Sequence, residues 1–338
     1  MFRKTVIIGL LMGAVSFAVR ANTPPTSFFA MSVKSNSIYT PGKITMSLRL
    51  TDRDVIEGPY TVRLSIFVAN TLVREQVLPI SQQQSENIEV LLPAVRNRTE
   101  VCCRAELFID GQFAEAKELP SIIWPALGPL RLKDVDNHIW LFDSSGRLQK
   151  IFQDSQISFS DALFQSVRDF EKPRIILVGE DIKPEEMKII VDLLDSLLKK
   201  DVPCSVLFLK QSAFLGESQV HIADKTKFSA YIAYDPNSLL LEDLTTLDII
   251  EMCQNGFPLR VVEPENNGWN IESTVYEIGR DSKEEYGFLL ISSRGRQRVI
   301  YCQFPIADDY SHNPRSGVLL RNLIRFVTRA NCSDTIKR

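Results

Sequence analysis

From about Phe28 to Trp124 the chain consists of short runs in which apolar and polar positions alternate and which stop at turn residues. Ile44–Leu50, Tyr60–Val68, Leu72–Leu78, Asn87–Leu92, Glu100–Ile109 and Gln112–Ile123 each fit a strand. Thr61-Val-Arg-Leu-Ser-Ile-Phe-Val68 alternates as a strand with one wet face must. Asp110-Gly111, between two such runs, is a hairpin signal, because both residues tolerate the positive φ that a tight turn requires. No helical period competes here. The pattern predicts a small antiparallel β-sandwich of immunoglobulin-like type, without the Cys, Trp, Cys arrangement of antibody domains.

Trp124-Pro-Ala-Leu-Gly-Pro129 interrupts the alternation with two prolines and a glycine, and the pattern changes after it. Ile139-Trp-Leu-Phe-Asp143, Arg174-Ile-Ile-Leu-Val178 and Ser205-Val-Leu-Phe-Leu209 are continuous apolar runs, typical of parallel strands covered on both faces. Between the last two, Pro184, Glu185 and Glu186 open a helix and Lys199 and Lys200 close it, with Met187, Ile190, Val191, Leu194, Leu197 and Leu198 as its buried stripe. A second helix is predicted over Asp161–Phe170 with Ser160 as its cap. Phe288-Leu-Leu-Ile-Ser292 and Val299–Phe304 around Arg294-Gly295-Arg296 predict a hairpin, and Pro314 opens a last helix. Strands alternating with helices predict a three-layer α/β/α domain.

The first residues read as an export signal: Arg3 and Lys4, an apolar run from Val6 to Val19, then Val19-Arg-Ala21 with small residues where a signal peptidase reads. That run is shorter than the ~20 residues a membrane-spanning helix needs, so no membrane insertion is expected after cleavage. The expected layout is a signal at 1–21, a sandwich at 22–125, a linker at 126–133, an α/β domain at 134–330 and a tail at 331–338. The expected location is periplasmic or extracellular. Lys and Arg number 39 against 42 Asp and Glu, a balance that calls for neither nucleic acid nor an anionic surface. Six cysteines are too few for a disulfide framework in a chain of this size. Cys102 and Cys103, adjacent in a strand, point to opposite faces, and Cys204 and Cys302 fit as core residues. One or two disulfides stay open. No Cys-x-x-Cys pair or His/Cys cluster points to zinc, and no cofactor is expected.

Ile139–Gly146, Ile175-Ile-Leu-Val-Gly-Glu180, Val206-Leu-Phe-Leu-Lys-Gln211 and Gly295–Phe304 with Leu319–Phe326 resemble the class I glutamine amidotransferase-like superfamily. The likeness is greatest to divergent exported members (ThuA-like and β-galactosidase trimerisation-like domains) found with bacterial glycoside hydrolases. The resemblance implies a flavodoxin-like α/β domain beside a sandwich module. It also implies a catalytic cysteine on a sharp turn after a central strand, where this chain has Leu209-Lys-Gln-Ser212. The superfamily's Gln-Phe-His-Pro-Glu segment is here Gln303-Phe-Pro-Ile-Ala307. Nucleophile and base are both replaced, which makes glutamine hydrolysis unexpected.

In an open α/β sheet, ligands bind beyond the carboxyl ends of the strands, where Asp143, Ser144, Glu180, Asp181, Gln211, Ser212, Gln303 and Asp308 should gather. Such a group either holds a sugar or caps helices and satisfies loop backbone, the second being the commoner fate. Asp308, Asp309 and His312 carry base or metal chemistry only as a minority alternative to a turn. Trp269, in Asn266-Asn-Gly-Trp-Asn270, either stacks on a sugar ring or pins a long loop.

Three functions follow as expectations. The first is a non-catalytic assembly or ligand-binding protein accessory to polysaccharide processing, with a carbohydrate or exported protein partner and a role for homo-oligomers. The second is a glycoside hydrolase using Asp143, Glu180 and Asp308 as strand-end carboxylates. The third is a cell-surface docking module acting through residues 22–125.

Overall fold

The computed structural model describes residues 6–9, 28–34, 37–51, 59–80, 86–131, 139–162, 174–210, 220–222, 231–256, 258–261, 268–278 and 285–330. The chain divides into two units. One is Val15–Gly128 with His312–Pro314, and the other is Met1–Ala14, Pro129–Ser311 and Arg315–Arg338. Strand β1 (Val6–Gly9), from the segment read as an export signal, belongs to the second unit.

In the first unit, β2 (Phe29–Val33), β4 (Gly42–Leu50) and β7 (Glu86–Leu92) form one sheet, and β3 (Ser37–Thr40) belongs to the other. That second sheet runs β3, β9 (Gln112–Pro125), β8 (Thr99–Ile109), β5 (Tyr60–Val68), β6 (Thr71–Ile80). Alternate residues of each strand meet in one core: Ile44, Met46 and Leu48 of β4 against Val62, Leu64 and Ile66 of β5 and Val101, Cys103, Ala105 and Leu107 of β8. The unit is therefore a β-sandwich whose wet and dry faces follow the period-2 pattern. The β8–β9 turn has φ 50° at Asp110 and 78° at Gly111, the two positive values expected there. Gly42 is needed for closeness, since a Cβ at that position would lie 2.2 Å from the Tyr39 carbonyl oxygen.

The second unit carries one mixed sheet. Its parallel part is ordered β11 (Ser160–Asp161), β10 (Ile139–Phe142), β12 (Arg174–Val178), β13 (Cys204–Leu209), β19 (Gln297–Cys302). Antiparallel strands β18 (Glu285–Arg294), β17 (Asn270–Ile278), β15 (Tyr231–Tyr234) and β1 extend it. Strand β16 (Leu259–Val261) pairs with β18 and with β14 (Val220–Ile222). Odd and even residues of the parallel strands enter two separate cores. Ile139, Leu141, Ile175, Leu177, Leu207 and Leu209 pack with α1 (Arg147–Asp154), α3 (Thr246–Asn255) and α4 (Pro314–Ala330). Trp140, Phe142, Ile176, Val178, Val206 and Phe208 pack with α2 (Pro184–Lys199). Helices thus cover both faces of the sheet, the condition that lets a parallel strand be apolar throughout.

Two local features differ from expectation. Ser160–Asp161 is a strand parallel to β10 rather than the cap and first residue of a helix; residues 163–170 of the expected helix lie outside the described residues. The helix after β10 is instead α1, whose Leu148, Ile151 and Phe152 form a one-sided stripe. The five described cysteines are free, with Cys103, Cys204, Cys253 and Cys302 buried; Cys332 lies outside the described residues. Burial pushes the Cys103 and Cys204 thiols up to about 12, which makes them unreactive core groups.

Helices α3 and α4 are joined by a buried ion pair. Arg315 Nε donates to Asp248 Oδ1 at 2.8 Å, and its Nη1 lies 2.7 Å from Glu251 Oε2. The other Asp248 oxygen accepts from the Thr245 backbone N–H and hydroxyl in a capping box. Arg315→Ala leaves the Asp248 carboxylate buried without its guanidinium and is expected to lower the stability of this unit by roughly 3–5 kcal/mol in urea denaturation. Lys43→Ala, at an exposed pair with Glu89, is expected to leave the sandwich transition in place.

Candidate functional site

The order of the parallel strands reverses at β10, with β11 on one side and β12 on the other, and the residues after these strands form the candidate site. Asp143 follows β10 and is buried. Its Oδ1 accepts from Ser145 Oγ at 2.7 Å and its Oδ2 from the Gln149 backbone N–H at 3.0 Å. Gln149 is the third residue of α1, and Gly146 at the cap position offers no side chain. Asp143 therefore supplies the anion that the helix N-terminus lacks. Ser144 is exposed and its hydroxyl donates to Glu186 Oε2 in the first turn of α2.

Glu180, after β12, is 1% exposed. Its Oε1 accepts from the Ala307 N–H at 2.8 Å, while Oε2 has no hydrogen-bond partner among the described residues. Burial pushes its carboxyl above the ordinary value, opposed by the backbone N–H of Ala307 and the charge of Lys210. Lys210 directly follows β13 with φ 44°, and its N–H donates to the Cys302 carbonyl at 2.7 Å. The left-handed residue after β13 is thus Lys210, inside the Leu209–Ser212 segment where the resemblance implies a cysteine. Gln211 and Ser212 lie outside the described residues.

Arg147, the first residue of α1, ties two strand-end turns together. Its Nη1 donates to Asp181 Oδ2 at 2.8 Å and its Nη2 lies 3.1 Å from Asp308 Oδ1. Gln303 is buried, with its backbone N–H on the Phe288 carbonyl at 2.8 Å, and its Nε2 has no partner among the described residues. His312 is exposed in the turn before α4. Among the described residues no group of His, Cys, Asp and Glu is arranged to hold a metal ion. Trp269 is 8% exposed, within the core under α2, and the Arg294 guanidinium lies 4.8 Å from its ring centroid. Of the two alternatives for Trp269, the buried ring fits the one that pins the chain, and its face is already covered by a cation.

The structure therefore gathers Asp143, Glu180 and Asp308 at one end of the sheet and spends two of them on a helix cap and an ion pair. Sequence reasoning missed Arg147, Lys210 and Gly179. The short stripe of α1 was a usable signal for Arg147; Lys210 carries none, because its backbone angle depends on where β13 ends. Gly179 is required by crowding, since a Cβ there would lie 3.0 Å from Asp143 Oδ1 and 3.3 Å from the Phe142 carbonyl oxygen.

No protein-family model matches the chain, and no curated protein matches it. Solved structures with partial likeness include a β-glucuronidase from Parabacteroides merdae (10% identity, 54% of this chain and 29% of that chain, TM-score 0.23). A cycloisomaltooligosaccharide glucanotransferase from Paenibacillus sp. is 14% identical over 53% of this chain and 27% of that chain, with TM-score 0.23. An FMN-binding β-glucuronidase from Facaelibacterium prausnitzii is 12% identical over 55% of this chain and 40% of that chain, with TM-score 0.22. The matches span less than half of those chains, and superpositions this loose carry no argument about function. These three are named as carbohydrate-active enzymes; the amidotransferase likeness rests on the sequence resemblance alone.

Two outcomes follow from this geometry. Gly179→Ala is expected to push Asp143 off the α1 N-terminus at a cost of about 1–3 kcal/mol, read in urea denaturation. Burial holds the Glu180 carboxyl above its ordinary value of 4.5. Below that value both folded and unfolded chains are protonated there; as pH rises the unfolded chain ionises first, and stability is lost up to the folded pKa. Glu180→Gln removes this titration. The stability of the variant relative to wild type is expected to climb from pH 4 toward neutrality and then level off in urea titrations across pH.

Proposed function

We propose that this chain is an exported, non-catalytic assembly or ligand-binding protein, accessory to polysaccharide processing, in which an amidotransferase-like scaffold is kept without its chemistry. The observation that carries the reading is the state of the strand ends. Both Asp143 oxygens are engaged in local hydrogen bonds, Asp308 is paired with Arg147, and the residue at the left-handed position after β13 is a lysine. A glycosidase needs one carboxyl free to donate a proton and another free to attack or to activate water. A thiol amidotransferase needs an activated sulfur. The parallel order β11-β10-β12-β13-β19, which is 2-1-3-4-5 when these strands are renumbered along the chain, supports a flavodoxin-like domain. The two-sheet core supports an immunoglobulin-like one.

The polysaccharide setting rests on the family resemblance, and the export reading on the N-terminal pattern of charge, apolar run and small residues. Among the described residues no helix is long and apolar enough to cross a membrane.

Purified protein is expected to turn over neither glutamine nor a panel of chromogenic glycosides. Glycoside turnover lost in Asp143→Asn or Asp308→Asn would replace this reading with the hydrolase. N-terminal sequencing of the exported product is expected to begin at Asn22; a sequence beginning at Met1 removes the export signal.

A further inference from the structure

The outer face of the five-stranded sheet in the sandwich carries an aromatic step beside a closed ladder of charges. Phe113, the second residue of β9, is 60% exposed, and its ring meets Phe108 of β8 edge-on, with centroids 6.0 Å apart and planes at 74°. Phe108 lies in turn under the Arg63 guanidinium, 5.3 Å from its centroid. Behind this step, Glu106 accepts from Arg63 Nε at 2.6 Å and lies 2.8 Å from Arg104 Nη2, and Arg104 Nη1 is 3.6 Å from Glu118. Register places Arg63 opposite Glu106 and Arg104 opposite Glu118, so the ladder crosses β5, β8 and β9 on one face.

We propose that this face binds an uncharged glycan chain, with one pyranose ring stacked on Phe113 and the neighbouring hydroxyl groups hydrogen-bonded to Arg63, Arg104 and Glu118, which buried Glu106 holds in place. It rests on the reading of the protein as a polysaccharide accessory and assigns the binding to the sandwich. The chemistry selects the occupant in three ways. The two arginines and two glutamates of the ladder neutralise one another, so a charged partner would have to break pairs already made. The guanidinium groups still have N–H donors and the carboxylates lone pairs, which suits a ligand that donates and accepts at every ring carbon. The exposed apolar area is small: Phe113, with Val77 three strands away on β6, falls well short of the roughly 800 Å² per partner that a stable protein interface buries. A sugar ring needs only one aromatic face.

The test is affinity electrophoresis of the full chain through gels containing dextran, galactomannan or hydroxyethylcellulose, with alginate as the anionic comparison. Retardation by at least one neutral polymer is expected, insensitive to added salt because the polymer carries no charge. Phe113→Ala is expected to weaken it about tenfold or more. Leu91→Ala, at an exposed position of the other sheet, is expected to leave it unchanged. Circular dichroism and urea denaturation check that the Phe113→Ala protein is folded. Equal retardation of wild type and Phe113→Ala overturns this face as the site while leaving the accessory reading intact. Retardation by alginate alone, or self-association abolished by Phe113→Ala without any glycan binding, overturns the proposed occupant. Failure of the wild type to bind any of these polymers overturns the glycan site and leaves assembly as the accessory role.

Discussion

Burial of the parallel strands on both faces is the constraint on which the α/β unit depends. All six residues of β13 are buried, as are Ile175–Val178 of β12 and every position of β19 except Arg298. A strand sealed on two sides cannot place a polar side chain within its length without a partner, because an unsatisfied buried group costs about 1–3 kcal/mol. Polar residues are therefore driven to the strand ends, and helices must cover both faces. Leu207 and Leu209 enter one core while Val206 and Phe208 enter the other, so a slip of one residue would exchange the two sets.

The strand ends show what happens to polar groups concentrated in this way. Asp143 completes a helix that begins with glycine, Arg147 joins the turns after β12 and β19, and Gly179 leaves room for the Asp143 carboxylate. Each is an economical use of a polar group near a sheet end, and none requires a substrate. Glu180 is the exception, with one oxygen held by Ala307 and the other without a partner among the described residues. Its rise in pKa reflects the same desolvation that keeps the strands dry. At the other end of the sheet, Gln297 Nε2 donates to the Leu198 and Val202 carbonyls and Arg294 Nη2 to the Leu198 carbonyl, closing the C-terminus of α2.

The sandwich obeys a simpler rule, since each of its sheets has only one dry face. Its edge strand β6 is exposed along most of its length, carries Arg74 and Glu75 in mid-strand and Pro79 near the end, and has a register irregularity against β5. Charge, proline and a bulge all discourage edge-to-edge pairing. The outer faces are left free to differ chemically from the core, and there the paired ladder and the aromatic step of Phe108 and Phe113 are found.

Periodicity alone determined much of this architecture. Period 2 marked β4 to β9, continuous apolar runs marked β10, β12 and β13, and a charged start and end marked α2, because each of these patterns records which faces must be dry. Short or weakly periodic elements escape the sequence reading, among them β2, β3, β14, β15, β16, β17, α1 and α3, and Ser160–Asp161 reads as a helix start because a two-residue strand has no period. Among site residues, the sequence located Asp143, Glu180 and Asp308 at strand ends. Only the tertiary structure decided which were spent on caps and ion pairs, that Trp269 lies buried beneath Arg294, and that the left-handed position after β13 falls on Lys210. Those outcomes depend on distances between segments far apart in the chain. The local pattern of apolar and polar residues records burial, and it carries no record of which distant group a polar atom will meet.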